Sequence, residues 1–148
     1  MIFLLLGCTR SNRPDGLPKL YPCVITVTQN GDPVADVSVQ LISKQESIWP
    51  VTGITNTSGN AKLVTYGQFP GAPLGDYTVV FSKTTTVSLK QGNEFQSGIT
   101  EVYSLINVEH TQPETSKLEM SIEKGTNQKT FELGAPVRIL TDTIKPGT

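Results

Sequence analysis

From Val24 onward the chain alternates apolar and polar residues with a period of two. No other feature constrains the fold as much, because successive side chains of a strand point to opposite faces of a sheet. In Val24 to Thr28, Ile25 and Val27 share one side. Gln29-Asn30-Gly31-Asp32-Pro33 then reads as a turn, since Asn and Gly accept positive φ and Pro removes a ladder donor. Val37, Val39 and Leu41 follow, opposite Ser38 and Gln40. The same parity puts Ala61, Leu63 and Thr65 on one face, and Tyr77, Val79 and Phe81 on another. Leu118, Met120 and Ile122 alternate with Glu119 and Ser121, and Lys124-Gly125-Thr126-Asn127 predicts a hairpin turn into Phe131-Glu132-Leu133. Thr, Val and Ile number 19, 13 and 10 of 148 residues, against four Ala. This β-branched content suits pleated surfaces and argues against a helical bundle.

Six or seven short strands separated by turn signals imply two antiparallel sheets packed face to face. The expected fold class is therefore all-β, a seven-stranded antiparallel β-sandwich over about residues 23–134. Residues 83–117 are mostly polar and too long for an ordinary connection, so they are expected to be an insert. Ile99, Val102, Tyr103 and Ile106 have helical spacing there, while Gly98 and the β-branched content favour disorder, and both readings stay open. Residues 135–148 read as an irregular tail, with Val137 to Leu140 as a candidate edge strand.

The beginning of the chain has a different character. Ile2 to Leu6 are apolar, Gly7-Cys8 follows, and Thr9 to Gly16 are polar or turn-forming. Five helical residues rise about 8 Å against the ~30 Å of a bilayer core, too short to span it, so the stretch reads as part of an export signal. Leu5-Leu6-Gly7-Cys8 resembles the lipobox of bacterial lipoproteins, in which cleavage before the Cys frees a thiol for diacylglycerol. Leu6 is bulkier than is usual there, no Lys or Arg precedes the apolar run, and the true start is expected upstream. The resemblance implies lipidation at Cys8, export, and a lipid membrane as partner. More than one acyl chain makes such an anchor durable, at about 0.8 kcal/mol per buried methylene. Residues 9–22, with Pro14, Pro18 and Pro22, then read as a tether.

Gly31-Asp32-Pro33-Val34, Thr55-Asn56-Thr57-Ser58-Gly59 and Gly75-Asp76-Tyr77-Thr78-Val79, in this order and spacing, resemble the carboxypeptidase regulatory-like domains with their transthyretin-like (prealbumin-like) sandwich. The likeness covers about residues 23–82. The whole layout is similar to small lipoproteins of planctomycete-type bacteria. It implies an Ig-like or prealbumin-like sandwich used as an interaction or structural module at the envelope. The motifs have structural reasons of their own: Gly31 and Gly59 permit turns, and Tyr77 offers a large ring with a hydroxyl that can tie down a loop.

Twelve basic against 13 acidic residues, net charge −1, leave no basic face to neutralise phosphates, so nucleic acid is not an expected partner. One His, His110, and two Cys are too few for a structural zinc site, and no loop clusters carboxylates for calcium. His110 reads as a solvated loop residue with Glu109 beside it, which supplies no nucleophile and base pair. No catalytic residue, cofactor or metal is assigned. Cys23 is expected to be a small apolar residue opening the first strand. The remaining chemistry lies in Trp49, Tyr66 and Phe69, aromatics in or beside predicted loops. Exposed on a sandwich rim, such rings can stack on a pyranose, which makes polysaccharide, beside an envelope protein, an expected partner and carbohydrate binding the alternative function.

Overall fold

The computed structural model describes residues 13–89 and 98–145. Its strands are β1 (Leu20–Tyr21), β2 (Cys23–Gln29), β3 (Asp32–Pro33), β4 (Ser38–Ser43), β5 (Val51–Ile54), β6 (Asn60–Lys62), β7 (Val64–Thr65) and β8 (Phe69–Pro70). They continue with β9 (Ala72–Pro73), β10 (Gly75–Ser82), β11 (Thr84–Leu89), β12 (Ile99–Ser104), β13 (Glu119–Ile122), β14 (Asn127–Glu132) and β15 (Ile139–Ile144). One short 3-10 turn, Val108–His110, is the only helical element among the described residues, so the protein is all-β.

The alternation seen in the sequence sets which side of each strand is dry. Ile25 and Val27 of β2, Val39 and Leu41 of β4, and Tyr77, Val79 and Phe81 of β10 are all buried in one apolar cluster, joined by Leu63, Met120, Ile122, Phe131 and Leu133. Two main sheets supply most of it, with Ala72 of β9 and Ile106 added from outside them. One runs in the order β13-β10-β4-β5-β7-β8; in the other β14 flanks β2, whose opposite edge takes β3 and β6. Phe81 and Phe131 meet across the core edge to face, with centroids 5.4 Å apart. Each fully buried Val, Leu, Ile or Phe contributes about 1.5–3 kcal/mol, so the shared seam dominates what holds the sheets together.

The turn at Asn56–Asn60 docks on β2. Asn56 Oδ1 accepts from the backbone N–H of Ser58 and Asn60, both at 3.0 Å, and the Gly59 carbonyl accepts from Val27 N at 2.8 Å. Gly59 adopts φ +77°, and a Cβ there would lie 2.7 Å from the Val27 carbonyl oxygen, so both conformation and space demand glycine. Thr55 locks the neighbouring crossing: its hydroxyl donates to Val34 O at 2.7 Å and accepts from Val37 N at 2.9 Å.

The arrangement departs from a single seven-stranded antiparallel sandwich. The strands fall into more sheets, with a three-stranded β11-β12-β15 sheet and a β1-β9 pair beside the two main ones. β14 pairs with β2 in parallel, from Asn127↔Cys23 to Glu132↔Thr28. The expected hairpin at 118–133 is therefore not a hairpin: β13 joins β10 in one main sheet and β14 joins β2 in the other. Asn127 stands at this crossing. Its side chain closes on both backbone groups of Glu123 at 2.9 Å, while its own N–H donates to Pro22 O at 2.9 Å and docks the chain beside β2.

Residues 83–117, read as an insert, carry β11 and β12. β11 continues from β10 through Lys83 alone, pairs with β12 from Thr84↔Ser104 to Leu89↔Ile99, and β12 pairs with β15. Strand-forming β-branched residues outweigh the helical spacing at 99–106, and Ile106 ends up fully buried in the core. The tail supplies β15, and at the other end of the chain Leu20↔Pro73 and Tyr21↔Ala72 pair residues read as tether with the body. No described helix is long and apolar enough to cross a membrane, a statement that leaves membrane-crossing strands aside.

Candidate functional site

Between β4 and β5 the chain leaves the sheet as a loop, residues 44–50, pinned at its start. Lys44 N donates to Asp76 O at 3.0 Å, and the Lys44 ammonium pairs with Glu119 on β13. Ser43 and Ser47 hydroxyls each accept a backbone N–H two residues ahead, from Gln45 and Trp49, at 3.2 Å. These short-range bonds order a loop none of whose side chains is fully buried. Its tip leaves Ile48 79% exposed and Trp49 half-buried.

Trp49 lines an open cleft of about 430 Å³ together with Tyr21, Lys19, Gln45, Glu46 and Leu74. That volume lies within the ~300–1,000 Å³ of small-ligand pockets. Tyr21 reaches the cleft because β1 pairs with β9, and Lys19 Nζ sits 5.6 Å from the Tyr21 ring centroid. The cleft floor is tied to the core by Tyr77, whose hydroxyl donates to Pro73 O at 2.8 Å. Burial, and then the neighbouring Cys23, push the Tyr77 phenol above its ordinary range, so it stays a protonated donor.

Tyr66 touches Trp49 edge to face, with centroids 6.0 Å apart and planes at 72°. Its backbone has φ +57°, uncommon for a residue with a Cβ, and its N–H donates to Pro50 O at 2.8 Å. Tyr66 thus supports Trp49 from outside the lining residues. Phe69, half-buried in β8 opposite Thr65, lines no part of the cleft. Of the three aromatics singled out in the sequence, the fold brings Trp49 and Tyr66 together and leaves Phe69 aside. Cys8 lies outside the described residues.

Tyr21 and Lys19 were hidden in a proline-rich stretch. The signal that could have found them is the apolar pair Leu20-Tyr21 directly before β2, but its partner, Ala72-Pro73, follows only from the fold. A rigid aromatic plane, a second ring, hydroxyl and amide side chains, and one charge of each sign can bind a neutral polyol: ring faces cover C–H surface and the polar groups exchange hydrogen bonds with hydroxyls.

Two other groups bear on chemistry. His110 is 14% exposed in its side chain rather than solvated, with Nε2 3.6 Å from Glu109 Oε1 and a buried Nδ1 that has no hydrogen-bond partner among the described residues. Cys23 is 3% exposed, its Sγ 3.9 Å from Met120 Sδ, and burial pushes its thiol up to about 12, which makes it an inert packing residue. Among the described residues no three His, Cys, Asp or Glu side chains gather in a way that could hold a metal ion. Comparisons of the chain with protein-family models, with curated proteins and with solved structures find no match in any of the three.

Proposed function

We propose that this chain is a non-enzymatic interaction module of the bacterial cell envelope, carried on a lipid anchor at Cys8, and that the cleft beside Trp49 is its binding site. The single observation that carries the binding role is a half-buried tryptophan, backed by a tyrosine, lining an open cleft on a pinned loop. Trp and Tyr are favoured at binding surfaces because they combine large apolar area with a polar handle and little rotamer entropy to lose. The carboxypeptidase regulatory-like, transthyretin-like reading of the body belongs to the same proposal. It is supported by the all-β architecture and by the roles of Gly59 and Tyr77 in their motifs.

Carbohydrate is the ligand class this cleft favours. An aromatic plane rimmed by Gln45, Ser47, Lys19 and Glu46 suits a sugar ring better than it suits an acidic or basic partner, since the two opposite charges leave no net sign.

Two measurements test the reading. Mass spectrometry of the membrane fraction should find a mature chain that begins at an acylated Cys8; an intact Met1 with unmodified Cys8 removes the anchor. Retention on immobilised polysaccharides should be abolished by Trp49→Ala, and wild-type retention on none of them removes carbohydrate while leaving an envelope protein as the partner.

A further inference from the structure

The cleft beside Trp49 does not stop at that residue. Ser43, Gln45, Ser47, Ile48 and Trp49 also line a second hollow, of about 270 Å³, that opens toward Gln40 and Ile42. Gln40 lines a third, of about 530 Å³, shared with Ser38, Thr52, Ile54, Lys62 and Val64. Strand parity explains the succession: Val39 and Leu41 turn into the core, so Ser38 and Gln40 stand on the outer face of β4 and lead toward the 44–50 loop. Ser38, Gln40 and Ile42 share that outer face over roughly 13 Å at ~3.3 Å per residue, and the surface then rounds the strand end at Ser43 into the Trp49 cleft, room for several sugar rings.

We infer that the three hollows form one continuous track that binds a linear, neutral oligosaccharide several residues long, rather than a single terminal sugar. The inference rests on the carbohydrate reading of the cleft. Among apolar Ile42, Ile54 and Val64 the surface carries the amide and hydroxyl side chains of Gln40, Ser38, Thr52, Ser43 and Gln45, which both donate and accept and so match sugar hydroxyls. Charge is confined to Lys62 at one end and to Lys19 and Glu46 at the other, which offers a polyanion no row of cations. An added peptide strand is disfavoured too, because β4 is already paired with β10 and β5 and keeps no free ladder edge for it. Ile54 and Ile48, 65% and 79% exposed, give the track apolar points for C–H faces.

The test uses the full chain on an array of neutral linear β-glucan, α-glucan, mannan and xylan oligomers, each at two, four and six residues, with uronic-acid oligomers alongside. At least one neutral series should bind, with affinity rising about tenfold or more from dimer to hexamer. Gln40→Ala, outward and exposed, should cancel that rise while leaving the dimer unchanged, and Trp49→Ala should abolish both. Equal affinity for dimer and hexamer, or a Gln40→Ala variant that keeps the rise, overturns the track and leaves a single-sugar site at Trp49. Preference for the uronic-acid series overturns the neutral assignment. Binding to no series overturns the track together with the carbohydrate reading on which it rests.

Discussion

The hydroxyl of Tyr77 donates to the backbone carbonyl of Pro73 at 2.8 Å, while its ring, 3% exposed, packs in the core. One side chain therefore joins the seam between the sheets to the short β9 strand that holds β1 beside the cleft. Tyr77→Ala should cost about 3–5 kcal/mol, the range for deleting a large buried ring. Tyr77→Phe should cost about 1 kcal/mol, the net worth of a hydrogen bond, and more if the Pro73 carbonyl stays dry. Denaturant midpoints check both, and equal losses for the two variants would show that the hydroxyl, not the ring, carries the effect.

Glu132 organises the 30–31 turn from a distant strand. Its carboxylate accepts from the Thr28 hydroxyl, and from the backbone N–H of Asn30, Gly31 and Gly134. These bonds, the Thr28 hydroxyl first and the Gly31 N–H second, hold its pKa below the ordinary carboxylate range. A pKa lowered in the folded state means stability that is present above the unfolded value of about 4.3 and lost as pH falls through the folded pKa. Glu132→Gln should flatten this acid-side decline of the denaturant midpoint below about pH 4.3. A variant whose midpoint falls with acid as steeply as the wild type would assign the decline to other carboxylates.

Cys23 should be silent to thiol reagents in the native protein. With burial pushing its thiol up to about 12 and 3% of the residue exposed, both thiolate fraction and access are small. In the Cys8→Ser variant, labelling should be negligible until denaturant is added, and then go to completion. Rapid labelling of the folded chain would show that β2 opens locally at its start.

Gly59→Ala should destabilise by more than about 1 kcal/mol, because it combines a strained positive φ with a Cβ 2.7 Å from the Val27 carbonyl oxygen. Gly125, at φ +98° with nothing near its missing Cβ, is the control. Gly125→Ala should lose only the backbone part, so thermal unfolding of the two variants separates conformation from contact.

Much of the interior was legible residue by residue. Ile25, Val27, Val39, Leu41, Leu63, Val79, Phe81, Met120, Ile122 and Phe131 are all buried on the side that alternation assigns, because parity is a local property of an extended chain. The site was legible in part: Trp49 and Tyr66 stand out as loop aromatics, whereas the Tyr21 wall depends on a pairing between residues about fifty positions apart.

What the sequence alone determined is thus which side chains of the alternating strands leave water, while the burial of Ile106 and His110 came from the fold. Which strands lie next to one another was decided by the tertiary structure. Phe131 satisfies its inward parity equally in a hairpin with Met120 or across the core from Phe81, and no local signal separates the two. In the fold β14 pairs with β2 in parallel, and the bond from Asn127 N–H to Pro22 O opens that pairing in place of an antiparallel hairpin. Likewise Thr84 to Leu89 have strand propensity on their own, but only β12 and β15, the latter drawn from the far end of the chain, turn that propensity into a sheet. Burial is a property of each residue's pattern, while pairing depends on closing loops over long separations, and that cost and its compensation exist only in the folded chain.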